Sequence, residues 1–94
     1  MQFEYDRSKS KTNKEKHGID FEEGKEIWTS PVVEIRSKYD DEPRKLVIGH
    51  IKQKFWTAII TIRNGIIRII SIRRSREEEK KLYENIAKNN QRKS

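Results

Sequence analysis

FWTAIITIRNGIIRIISIRR, residues 55–74, is the stretch on which the fold turns. Its two arms, FWTAIITIR (55–63) and IIRIISIRR (66–74), are dense in the β-branched and aromatic residues that suit a pleated sheet. Between them stands Asn64-Gly65, and since both residues tolerate positive φ, the pair predicts a two-residue hairpin loop. Such a loop sets the register: Arg63 faces Ile66, and the ladder runs down to Trp56 opposite Arg73 and Phe55 opposite Arg74. One face then carries Trp56, Ala58, Ile60 and Ile62 with Ile67, Ile69, Ser71 and Arg73, and is the core side. The other carries Phe55, Thr57, Ile59, Thr61 and Arg63 with Ile66, Arg68, Ile70, Ile72 and Arg74. Charge is costly to bury, so Arg68, Arg73, Arg74 and Arg76, set along and just beyond so isoleucine-rich a segment, must meet water or an anion.

Working upstream, KLVIGHI (45–51) reads as a third strand. With a turn at Gln53-Lys54, which no glycine marks, Arg44, Leu46, Ile48 and His50 join the second face. That face is too apolar to stand bare and too charged to be sealed, which fits partial cover by a C-terminal helix or another chain. VVEIR (32–36) reads as a further strand and SKYDDEP (37–43) as a polar loop. QFEY (2–5) alternates polar and aromatic residues and suits a short strand. Asp6 can cap a helix through SKSKTNKEKH that ends at Gly18, and Asp20 with Glu23 forms an aspartate capping box for a second helix with Phe21, Ile27 and Trp28 on its buried side. Downstream, SREEEKKLYENIAKNNQRKS (75–94) reads as a helix whose Glu77, Glu78 and Glu79 form a solvated first turn favoured by the helix dipole, fraying from about Lys88. The expectation is one α+β domain spanning 1–94: N-terminal helices packed on a twisted antiparallel sheet of about four strands, with a C-terminal helix.

Composition narrows the partners. Twenty-two Lys and Arg against fifteen Asp and Glu give a formal charge of +7, so polyanions are attracted. With no cysteine and only two histidines, His17 and His50, far apart in sequence, neither a disulfide nor a zinc-like site is expected, and no metal or cofactor. No uninterrupted apolar run approaches the roughly 20 residues that cross a bilayer, and MQFEYDRSKSK has no signal-like apolar core, so a cytoplasmic protein without membrane contact is expected.

Four short pieces then stand in a telling order: FEYD (3–6), KHGIDFEE (16–23), the Ile-Gly of LVIG (46–49) and RIISIRRSREEEKKLYE (68–84). From Phe3 to Tyr83 the chain resembles the BrnT family of bacterial type II toxins, small ribonucleases with a fold related to the RelE toxins. The family often reads like R-I-I-S-A-R-R followed by a charged helix with a tyrosine. Two departures are Ile72, where the family usually has a small residue, and the lysine-rich first helix, where it usually has alanines. The resemblance implies a RelE-like fold and a toxin that cleaves RNA and inhibits translation. It also implies neutralisation by a BrnA-like antitoxin that covers the toxin and binds DNA, and it leaves open a homodimer within the toxin–antitoxin complex. By residue matching, the positions it singles out are Lys16, His17, Arg68, Ser71, Arg73, Arg74 and Tyr83.

RNA can be cut without a metal because its own 2′-hydroxyl attacks the adjacent phosphate, so a protein need only position the strand, move protons and stabilise added negative charge. Arginine, a planar and permanently charged fork, suits the last task. The catalytic candidates are therefore Arg68 and either Arg73 or Arg74 at the scissile phosphate and its neighbour, and His17, with Lys16 or Tyr83, for proton transfer; histidine titrates close to neutrality. Arg44, His50, Arg63 and Arg76 are candidates for RNA binding. Plainer readings stand beside these. His17 before Gly18 is placed as a helix C-terminal cation, Lys16 as a solvated charge, His50 as an edge histidine, Tyr83 as packing, and the arginines as solvated strand ends. Two rival functions also remain at this level: a non-enzymatic RNA- or ribosome-binding module, and a protein-interaction subunit whose mixed face is an interface.

Overall fold

The computed structural model describes residues 1–37 and 43–92, with side chains as far as Lys88; most of the polar loop read at 37–43 lies outside the described residues. The hairpin forms as expected, with β4 at Lys54–Arg63, β5 at Ile66–Arg74, and positive φ at Asn64 (53°) and Gly65 (77°). From Arg63↔Ile66 to Ile60↔Ile69 the register is the one the turn dictates. There it shifts: Ile59 faces Ser71, Ala58 faces Ile72, Thr57 faces Arg73 and Trp56 faces Arg74. Ile70 is the extra residue of a β-bulge, and every β5 side chain beyond it exchanges faces relative to the simple alternation. Ile72 enters the core at 0% exposure, whereas the alternation assigns it to the mixed face. Arg73 leaves the core face and Arg74 takes its place beside Trp56.

The strand β3, Lys45–Ile51, pairs antiparallel with β4 through a two-residue turn at Lys52-Gln53, not Gln53-Lys54. Both turn residues have positive φ, 49° and 69°, so the backbone adopts the primed hairpin geometry without the glycine or asparagine that usually signals it. The displacement is by two residues, so parity holds and Leu46, Ile48 and His50 lie on the second face as expected. Outside β3 comes β2, Val33–Arg36, also antiparallel, and beside β5 lies β1, Phe3–Glu4, which runs parallel to it. The sheet is thus mixed and five-stranded, in the order β1-β5-β4-β3-β2, rather than antiparallel with about four strands. A strand that enters from the N-terminus has no hairpin to set its direction, so only the neighbour it meets decides it.

Asp6 caps α1, Arg7–His17, by accepting from the Lys9 N–H, and Gly18 ends it in the left-handed conformation. The reciprocal Asp20–Glu23 capping box starts α2, Phe21–Gly24, which continues as a 3-10 helix over Lys25–Thr29. Phe21, Ile27 and Ile19 close the core against Val47, Ala58, Ile60, Ile69 and Ile72, with Trp28 and Trp56 partly buried at its margin. Ile72 fits because Gly24 faces it: a Cβ on Gly24 would stand 2.0 Å from the Ile72 Cδ1. Helix α1 has almost no apolar stripe, and Asn13 anchors it instead. The Asn13 amide donates to the Ile72 and Ile19 carbonyls at 2.9 and 2.8 Å and its Oδ1 accepts from the Ile72 N–H at 3.1 Å. The side chain thereby pairs with β5 as a neighbouring strand would. The last helix, α3, spans Glu77–Arg92, past the expected fraying point, and packs on the opposite face of the sheet through Glu79 and Tyr83. Among the described residues no helix is long and apolar enough to cross a membrane.

Candidate nucleic-acid interface

The second face of the sheet is built in rows across β3, β4 and β5. The row at the hairpin end holds Thr61 and Arg68, the next Leu46, Ile59 and Ser71, the next Ile48, Thr57 and Arg73, and the last His50 and Phe55. The bulge thus aligns Arg68, Ser71 and Arg73 on one surface, Ser71 between the two arginines. Ser71 and Ile70 also line a depression of about 240 Å³ with Lys9, Thr12, Lys16 and His17 of α1. Helix α1 supplies this rim because Asn13 holds it against β5 one residue beyond Ser71, at Ile72.

Arg73 is not a free cation. Its two terminal nitrogens each donate to one oxygen of Glu79 at 2.8 Å, and the same carboxylate accepts from the Arg76 N–H at 2.8 Å and the Thr57 hydroxyl at 2.9 Å. The Glu79 side chain is only 6% exposed. Burial, the largest single influence, pushes its carboxyl upward, but the hydrogen bonds from Arg73, Arg76 and Thr57 together with the Arg73 charge outweigh it and hold the group at about 2. The hydrogen bonding to Glu79, against the cost of burial and with the Glu79 and Glu78 charges, raises Arg73 above its ordinary value. Glu79, read in the sequence as part of a solvated turn, is therefore the buried brace of the site. The available signal was its place as third residue of α3, from which a glutamate reaches back to the N–H preceding the helix.

Beside this pair lies a cavity of about 530 Å³ with Leu46 and Ile59 in its lining and four arginines around it: Arg36, Arg44, Arg73 and Arg76. Arg36 closes β2 and was not singled out by the sequence. On the other side of the pair His50 and Phe55 meet Tyr83 of α3, with ring centroids 4.2 to 5.3 Å apart. The Tyr83 hydroxyl donates to the Pro31 carbonyl at 3.0 Å.

The remaining candidates separate. Arg68 lies 3.6 Å from Glu4 in a half-exposed ion pair. Arg74 points to the core side, its guanidinium 5.5 Å from the Trp56 ring and its Nε donating to the Phe55 carbonyl. Arg63 stands at the hairpin end opposite Ile66. The ten candidates thus fall into Lys16 and His17 at Ser71; Arg44, Arg73 and Arg76 around the arginine cavity; and His50 with Tyr83, while Arg68, Arg63 and Arg74 stand outside these groups. Among the described residues no three His, Asp or Glu side chains are grouped so as to hold a metal ion.

A search of curated proteins finds none that matches the chain. A family model described as the ribonuclease toxin, BrnT, of type II toxin-antitoxin systems matches residues 5–79. The matched span takes in α1, the whole sheet from β2 to β5 and the Arg73–Glu79 pair, and stops short of Tyr83. The chain belongs to the BrnT family of type II toxin–antitoxin ribonuclease toxins.

Proposed function

We propose that the protein is a metal-independent endoribonuclease toxin that cleaves RNA, inhibits translation and is neutralised by a cognate antitoxin. The observation that carries this reading is the bulge in β5, beside which Ser71 lines a depression with Lys16 and His17 and stands between Arg68 and Arg73. The β4 partners of the two arginines, Thr61 and Thr57, are four residues apart, or about 13 Å along a strand at ~3.3 Å per residue. One RNA strand spans that distance with successive phosphates. Arg68, whose pairing with Glu4 is long and half exposed, is the cation that exchanges its partner for a phosphate. Arg73, committed to Glu79, holds the start of α3 and lends charge to the neighbouring cavity rather than gripping the reacting group. His17 moves the proton and Lys16 neutralises charge beside it. Tyr83 is left out of proton transfer, since it lines a different cavity from His17.

Incubating the purified chain with single-stranded RNA in EDTA tests this. Cleavage is expected, falling by at least about 100-fold in His17→Ala, within the range that one proton-transfer group supplies. Arg68→Ala should lose activity while its circular dichroism and melting stay those of the parent. The second reading, a basic RNA- or ribosome-binding module without chemistry, draws on the four-arginine cavity. Binding that falls steeply with salt, with no product in any condition, would establish it instead.

A further inference from the structure

Three rings from three separate elements, His50 of β3, Phe55 of β4 and Tyr83 of α3, come together at the end of the second face. His50 and Phe55 lie tilted at 42° with centroids 4.2 Å apart, and Tyr83 meets them edge to face at 89° and 73°. A cluster serving only to seat α3 would be closed over. These rings instead stay half-buried and line an open cavity of about 600 Å³ together with Lys81, Lys88, Asn85 and one carboxylate, Glu84. That volume lies within the range of small-ligand sites. Aromatic walls with lysines among the lining side chains are the chemistry that holds an unpaired base by its face and its phosphate by charge. The cavity also adjoins the basic surface: the His50–Phe55 row is next to the Thr57–Arg73 row, and Arg74 donates to the Phe55 carbonyl.

We propose that this cavity is a binding pocket for an unpaired base of single-stranded RNA, one step along the strand from the arginine cavity beside Arg73 and Arg76. The inference rests on the ribonucleic-acid reading above and adds a subsite to it. His50 and Phe55 provide the stacking surface. Tyr83, its hydroxyl held by the Pro31 carbonyl, is a fixed wall. Asn85 is the lining side chain that offers both a donor and an acceptor to a base edge.

The test uses the full chain and a fluorescein-labelled 2′-O-methyl oligoribonucleotide, which has no free 2′-hydroxyl and is not cut, with inorganic polyphosphate as a competitor that has charge but no bases. Phe55→Leu keeps apolar bulk for α3 and removes the ring. It should weaken oligoribonucleotide binding by about tenfold, the scale of one base on one aromatic side chain, and leave polyphosphate competition against the same protein unchanged. His50→Leu is the second variant should Phe55→Leu melt early, and its effect should have the same selectivity. Equal losses for both probes, unchanged oligoribonucleotide binding in both variants, or loss confined to binding of an antitoxin protein would each overturn the pocket. Because the probe is not cleaved, a chain that binds it through these rings yet cuts no RNA refutes the proposed enzyme alone. A chain that cuts RNA but binds the probe equally well with and without the rings refutes the pocket alone.

Discussion

Replacing Glu79 by glutamine tests the brace beneath the basic cavity. The substitution keeps the shape of the side chain but removes its charge and sets an amide N–H₂ against one terminal nitrogen of Arg73. Two routes give the size of the loss. Holding the carboxyl at about 2 instead of the ordinary 4.5 corresponds to about 3 kcal/mol of extra stability for the ionised form when folded. Removing one partner of a buried ion pair costs about 3–5 kcal/mol, and Arg73 at 19% side-chain exposure places this pair at the lower end. Both point to about 3 kcal/mol, a fall in Tm of roughly 12–24 °C for a domain of this size. Urea unfolding of parent and variant, repeated across pH, is the assay. Above pH 5 the carboxylate is ionised folded and unfolded and the full difference is present. As the pH falls below 4.5 the unfolded chain protonates first, and the difference shrinks until it is lost through about 2. Asp6, Glu22 and Glu23, whose carboxyls are also lowered, occur in both proteins and cancel in the comparison. A loss under about 1 kcal/mol at pH 7, or a difference that stays constant between pH 5 and pH 2, would refute the reasoning.

The remaining expectations concern the parts that place the site. Asn13→Ala leaves the Ile72 N–H and carbonyl and the Ile19 carbonyl without their buried partner, costing about 3 kcal/mol. Hydrogen exchange should then show lost protection at the Ile72 amide, and unaltered protection would count against the anchoring role. Gly24→Ala drives a methyl into the Ile72 Cδ1 and should cost about 1–3 kcal/mol in chemical denaturation. Adding Ile72→Val, which removes that carbon, should recover most of the loss, and failure to recover it would mean the strain lies elsewhere. Gln53→Gly relieves a left-handed residue at φ 69° and should stabilise the β3–β4 hairpin by about 1 kcal/mol, read as a higher denaturation midpoint.

How much was legible divides by the reach of the interactions concerned. Asp6 and Gly18, Asp20 and Glu23, and Asn64-Gly65 act on backbone groups within a few residues, so their hydrogen bonds and φ angles can be read from the letters alone. The basic character of the chain was legible from its composition, and the family likeness from the order of its short motifs. Lys52-Gln53 was not, because its left-handed backbone is imposed by the strands that it joins and carries no composition signal of its own.

From its letters alone this chain determines a basic α+β domain, its helix caps, the first four pairs of its central hairpin and the arginines that must avoid the core. Tertiary structure alone decided which of those arginines face together. One bulge at Ile70, held where Asn13 and Gly24 meet Ile72, turns Arg73 toward Glu79 and Arg74 toward Trp56. The alternation of a strand is a local rule, whereas the place where it breaks is set by packing between residues up to 59 positions apart.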